Sequence, residues 1–100
     1  RHVELMVDTS PPIILNPDSF WSQNGENIYF DIFIDENNFD RIIYTYELNG
    51  RTREKTLCSR LKDNRCTKRV GFRNGEHVLD VMISDLAGNA ISERIEFEVL

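Results

Sequence analysis

Two oxygen-rich clusters, two cysteines and two histidines are the groups in this 100-residue chain whose chemistry must be weighed first. Asp85-Leu86-Ala87-Gly88-Asn89 ends an alternating stretch, and Asp85 and Asn89 are oxygen donors of the kind that calcium takes. Calcium needs roughly six to eight oxygens, however, and the spaced acidic ladder of a dedicated loop is missing. Asp35, Glu36, Asn37, Asn38 and Asp40 fall short in the same way and read as a solvated turn. Geometry accounts for the first cluster better. A strand leaving a core must reverse within a few residues, and Gly88 adopts positive φ without a Cβ penalty. Asn89 tolerates that conformation better than most residues, and Asp85 can accept a hydrogen bond from a backbone N–H two residues on. Asp85, Gly88 and Asn89 are therefore expected to form a structural turn, and no metal is expected.

Cys58 and Cys66 bracket the loop Ser-Arg-Leu-Lys-Asp-Asn-Arg. The spacing matches no zinc pattern, and no further Cys or His pair completes four ligands. His2 and His77 are distant from each other in sequence, and neither neighbours the cysteines. A disulfide closing a hairpin is the expectation; the alternative is a buried, reduced pair. Closing so short a loop contributes roughly 2–3 kcal/mol when unstrained, and such a bond implies an oxidising compartment outside the cytosol.

Nothing else assembles into catalytic machinery. His77 opens an inward-facing alternation and reads as a hydrogen-bonded structural histidine, with no acid or nucleophile assignable to it from spacing. The serines fall in loops or on outward positions, and none stands in a Gly-x-Ser-x-Gly elbow. Carboxylates are too scattered to nominate a glycosidase pair, and the five glycines form no phosphate cradle. We expect a non-catalytic protein with no cofactor.

Charge is distributed unevenly. Net charge is −5, yet residues 51 to 73 hold Arg51, Arg53, Lys55, Arg60, Lys62, Arg65, Lys68, Arg69 and Arg73 against only Glu54 and Asp63. That stretch is +7 and the remainder, three bases against fifteen acids, is −12. A basic hairpin on an acidic body has two readings. Charged edge strands keep sheets from pairing with other molecules; alternatively the band holds an anionic surface, such as a cell-envelope polymer, an acidic glycan or another protein. Nucleic acid fits poorly, because no aromatic residue interleaves the bases before Phe72 and the whole is acidic.

These groups must be positioned by strands. Ile28, Phe30, Ile32 and Ile34 alternate with polar and aromatic residues, and Ile42, Tyr44, Tyr46 and Leu48 alternate with Ile43, Thr45 and Glu47. Thr52 to Cys58 and Cys66 to Phe72 are polar basic segments flanking the cysteine loop. His77, Leu79, Val81 and Ile83 repeat the alternation, and Ile95, Phe97 and Val99 close it. Between these runs stand Asn24-Gly25, Glu36-Asn37-Asn38, Asn49-Gly50, Asp63-Asn64 and Asn74-Gly75, all turn formers. No window offers a helical face of three turns, and no apolar run is long enough to span a membrane. Short strands with regular turns in one domain of this size argue for an all-β antiparallel sandwich. Phe20-Trp21 is placed in a connection, where Trp21 either plugs the end of the core or stacks on a sugar. Tyr29 and Phe33 alternate with the core face and lie under a loop or present a partner surface.

Two segments resemble a family. Val7-Asp-Thr-Ser-Pro-Pro-Ile13 is similar to the opening of prokaryotic immunoglobulin-like modules, and Gly75-Glu-His-Val-Leu-Asp-Val-Met-Ile-Ser-Asp-Leu-Ala-Gly-Asn89 resembles their closing segment. The resemblance implies an immunoglobulin-like sandwich of about seven strands, strung in tandem on secreted and surface proteins of bacteria and archaea. Ile83, where a smaller residue is usual, and the cysteine-closed basic segment depart from that pattern. His2 to Asp8 also aligns with Arg94 to Leu100, so residues 1–8 are either the last strand of a preceding copy or a first edge strand of the domain at 9–100.

The expected function is a structural or adhesion module of a larger extracellular or cell-surface protein, a spacer or binding arm contacting neighbouring domains of its own chain. The alternative is an accessory domain that positions or binds polysaccharide for a secreted hydrolase. A third option is an interface module in a homo-oligomeric surface lattice, where basic and acidic faces meet in successive copies.

Overall fold

The computed structural model describes residues 11–35 and 38–100. The expectation for residues 1–8, most of the opening motif, and Glu36 and Asn37 of the oxygen-rich turn lie outside the described residues. The described residues form eight strands: β1 (Ile13–Ile14), β2 (Trp21–Asn24), β3 (Asn27–Asp35), β4 (Phe39–Leu48), β5 (Arg51–Cys58), β6 (Arg65–Gly71), β7 (Gly75–Asp85) and β8 (Ala90–Val99). They build two antiparallel sheets, an all-β sandwich of the immunoglobulin-like kind. One sheet is ordered β5-β4-β7-β8. The other centres on β3, with β6 along one edge and both β1 and β2 along the other.

Alternation dictates this arrangement. Ile28, Phe30, Ile32 and Ile34 on β3 point across to Ile42 and Tyr44 on β4 and to Leu79, Val81 and Ile83 on β7, and all of them are buried. Because side chains alternate faces along a strand, one apolar set per strand fills the space between the layers. Ile95, Phe97 and Val99 on β8 complete it. No helix among the described residues is long and apolar enough to cross a membrane.

The turns follow the sequence signals. Asn49 (φ 54°) and Gly50 (φ 78°) join β4 to β5 with Leu48 opposite Arg51, the pair of positive φ values that a two-residue hairpin needs. Between β1 and β2 the edge of β3 would be left bare. There the Asn16 amide stands in for a strand: its Nδ2 donates to the Asp31 carbonyl at 2.7 Å, and its Oδ1 accepts from the Phe33 N–H at 2.9 Å.

Two expectations are corrected. Trp21 lies in a strand, β2, paired with β3 through a turn at Gly25; the Asn24-Gly25 signal marks this hairpin. The segments flanking the cysteine loop do not form one hairpin ladder. Asp63 (φ 54°) and Asn64 (φ 63°) do make a tight reversal in which Lys62 and Arg65 exchange backbone hydrogen bonds. Beyond it β5 pairs with β4 and β6 pairs with β3, so the two basic strands are edges of opposite sheets.

Candidate functional site: a basic flank held by a disulfide

Cys58, at the end of β5, and Cys66, near the start of β6, are joined by a disulfide with Cα atoms 6.0 Å apart. The bond crosses from one sheet to the other. On β5 only Leu57 is fully buried, and on β6 only Cys66. These strands bring little apolar surface to hold the layers together, and the covalent link does so in its place.

All nine basic residues singled out from the sequence are exposed. Register shows which way they face, since directly opposed residues share a side of the sheet. Arg53 lies opposite Tyr46 and Lys55 opposite Tyr44 on β4, while Lys68 lies opposite Phe30 on β3. These three therefore start on the inner faces, at the open side of the sandwich, with Arg51 beyond them opposite Leu48. Arg65 and Arg69 lie opposite Phe33 and Tyr29, on the outer face of the β3 sheet. Arg60 and Lys62 occupy the intervening loop, and Arg73 the link from β6 to β7. The band thus wraps one flank of the molecule. Of the nine, only Arg65 has an ion pair among the described residues: its Nη1 reaches Asp31 Oδ2 at 3.1 Å while its guanidinium lies 4.8 Å from the Phe33 ring centroid.

Beneath the inner rim runs a row of rings. Phe30 stacks on Tyr44 at 6.5 Å, Tyr44 meets Tyr46 at 5.9 Å and Phe72 at 6.2 Å, and Phe72 touches both His77 and Phe97 at 5.1 Å. Burial raises the Tyr44 hydroxyl above the ordinary phenol range, and neighbouring Tyr46 adds to the shift. His77 stacks on Phe97, and its Nε2–H donates to the Arg73 carbonyl at 2.7 Å. That bond ties the strand start to the chain just upstream, a positioning role.

The Asp85 turn is built from the carboxylate outward. Asp85 is buried, and its Oδ1 accepts from the backbone N–H groups of Ala87 (3.0 Å) and Asn89 (2.8 Å), while Oδ2 accepts from Asn89 Nδ2 (3.1 Å). Gly88 has φ 93°, the left-handed region where a side chain is costly. Both carboxylate oxygens thus serve the reversal. Asp40, from the second oxygen-rich stretch, accepts from the Ser84 hydroxyl at 3.3 Å.

The aromatic residues weighed for sugar stacking do not share a platform. Trp21 is half-buried on the inner side, 6.0 Å from Phe97. Tyr29 and Phe33 point outward from the β3 sheet, Tyr29 exposed and Phe33 half-covered. A groove of about 420 Å³ opens instead on the outer face of the other sheet, over Thr45, Glu47, Asp80 and Arg94. Arg94 Nε is 3.2 Å from Asp80 there, and Thr52 donates to Glu47 at 2.8 Å, while Glu76 also lines the groove. Sequence reasoning missed this groove because its lining comes from four strands whose order the sequence does not state.

The chain matches no family model, no curated protein and no solved structure.

Proposed function

We propose that the chain is a non-catalytic immunoglobulin-like module of a larger extracellular or cell-surface protein, related to the prokaryotic modules its end segments resemble, in which the β5–β6 flank holds an anionic partner. The observation that carries this reading is the flank itself: eight of nine cations have no ion pair among the described residues, on two edge strands locked together by Cys58–Cys66. A surface evolved only for solubility is served by mixed charge, whereas a single-sign field attracts a partner of opposite sign. The disulfide supports an oxidising location outside the cytosol, and the hydrogen-bonded Asp85 turn supports a corner role for the closing motif.

Binding to an acidic polysaccharide such as polygalacturonate, compared with a neutral one, tests it. Retention on the acidic polymer that falls as salt rises, and that is lost in the K68E/R69E variant, is the expected result. Equal retention on both polymers, or retention unchanged by that variant, counts against it. One observation favours the accessory-domain reading: Tyr29 and Phe33 share the outer face with Arg69 and Arg65, so a uronic acid ring could stack and pair there. Loss of binding in Y29A, with K68E alone inert, would select that reading.

A further inference from the structure

Among the described residues the β5-β4-β7-β8 sheet has two free edges, and they carry opposite charge. β5 presents Arg51, Arg53 and Lys55 against Glu54; β8 presents Glu93, Glu96 and Glu98 against Arg94. Among the described residues β5 pairs only with β4, and β8 only with β7. Among the described residues each edge therefore offers backbone donors and acceptors to another strand, apart from the Glu98 carbonyl, which accepts from Gln23 Nε2 at 2.7 Å. Three antiparallel steps separate β5 from β8, so the two edges run in opposite directions. A second copy shifted sideways in the sheet plane thus brings its β8 antiparallel to β5.

We propose that this edge is completed by a second copy of the chain, β5 of one pairing with β8 of the next, to give a continuous sheet. The side-chain faces restrict the register to every second alignment. On β5 the residues opposite Tyr44 and Tyr46 face inward; on β8 those opposite Leu79, Val81 and Ile83 do. Matching inward to inward allows an alignment that sets Lys55 against the neighbour's Glu93 on the inner side and Glu54 against its Arg94 on the outer side. In the same alignment Thr52 meets Glu96 on the outer side, while Arg53 and Arg51 meet Ile95 and Phe97 on the inner side. Shifting by two residues in one direction places Glu54 against Glu96, a like-charge pair that opposes it. Arg94 already holds Asp80 through Nε, and its five N–H donors leave capacity for Glu54 as well.

The same charges act against wrong pairings. Two β5 edges repel each other, as do two β8 edges, so the contact is head-to-tail and not two-fold. Such an interface propagates into rings or filaments unless ends are capped. It is tested at Lys55 and Glu93, whereas polymer binding is tested at Lys68 and Arg69 on β6, so the two can fail separately.

Sedimentation of the 100-residue chain over a concentration series tests the inference. At ionic strength of about 0.01 M, where charges act over ~30 Å, the mean mass should rise with concentration; at about 1 M, where they act over ~3 Å, it should return to the monomer. K55E and E93K should each weaken association at least about tenfold. Mixing the two variants should restore it, because each supplies the edge the other needs, and K55E/E93K should associate like the parent chain. Far-UV circular dichroism confirms that each variant keeps its strands. A monomer at every salt and concentration overturns the proposal, as does association that the single charge swaps leave unchanged or that mixing fails to restore.

Discussion

The two open sides of the sandwich are closed by different chemistry. On the β8 side, Trp21 from one sheet packs on Phe97 from the other at 6.0 Å, and Gln23 Nε2 donates across to the Glu98 carbonyl at 2.7 Å. Ile95, Phe97 and Val99 are buried there. On the β5–β6 side the corresponding positions carry Arg53, Lys55 and Lys68, and Cys58–Cys66 spans the layers instead. Apolar side chains close a sandwich only by occupying the inward positions of its edge strands. A covalent bond needs two positions and leaves the others for charge. The basic flank is in this sense made possible by its disulfide.

The contrast can be broken in three ways, in descending order of effect. Phe97→Ala removes the ring that Trp21, Phe72 and His77 all touch, and should cost about 3–5 kcal/mol in urea unfolding. A loss below about 0.5 kcal/mol, the range of ordinary surface changes, would show that the β8 side does not depend on ring packing. Replacing both cysteines with alanine should cost about 2–3 kcal/mol while the chain still folds, since the buried set on β3, β4 and β7 is untouched. A cost near zero would mean that β5 and β6 are held by other contacts.

The smallest effect is a matter of pH. Tyr44 lies under the rim of the basic flank, and its hydroxyl is raised above the ordinary phenol value by burial first and by Tyr46 second. The folded state thus favours the neutral hydroxyl. Its contribution is fully present below the unfolded value of about 10 and is lost as pH climbs from there toward the folded value. Tyr44→Phe should therefore flatten the loss of urea midpoint between about pH 8 and about pH 11. Identical slopes for the variant and its parent would separate the aromatic row from alkaline unfolding.

Much of the fold was legible because period-two patterns report burial. The isoleucines of β3 and the Leu79–Ile83 series of β7 each name an inward face, and Asn49-Gly50 names the reversal between β4 and β5 without reference to anything distant. The Cys58–Cys66 bond was legible from spacing and from the lack of other ligands. The basic strands were not. Arg51-Thr-Arg-Glu-Lys-Thr and Thr67-Lys-Arg have no apolar alternation, so nothing local says which sheet each joins, and their nearness in sequence suggests a hairpin that the ladder does not make. Trp21-Ser-Gln-Asn was hidden for a related reason: three of its four residues are exposed, and the strand is specified by the Gly25 turn and by β3. The charge band was plain as composition, but its wrapping of a flank emerges only from β5 and β6 standing on opposite sheets.

Native-state hydrogen exchange, compared with the disulfide intact and after reduction, tests most directly the idea that a covalent bond closes the flank where apolar packing is missing. Reduction should accelerate exchange in β5 and β6, the strands nearest the broken link, while β7 and β8 keep their protection. Uniform acceleration across both sheets, or none in β5 and β6, would contradict the account.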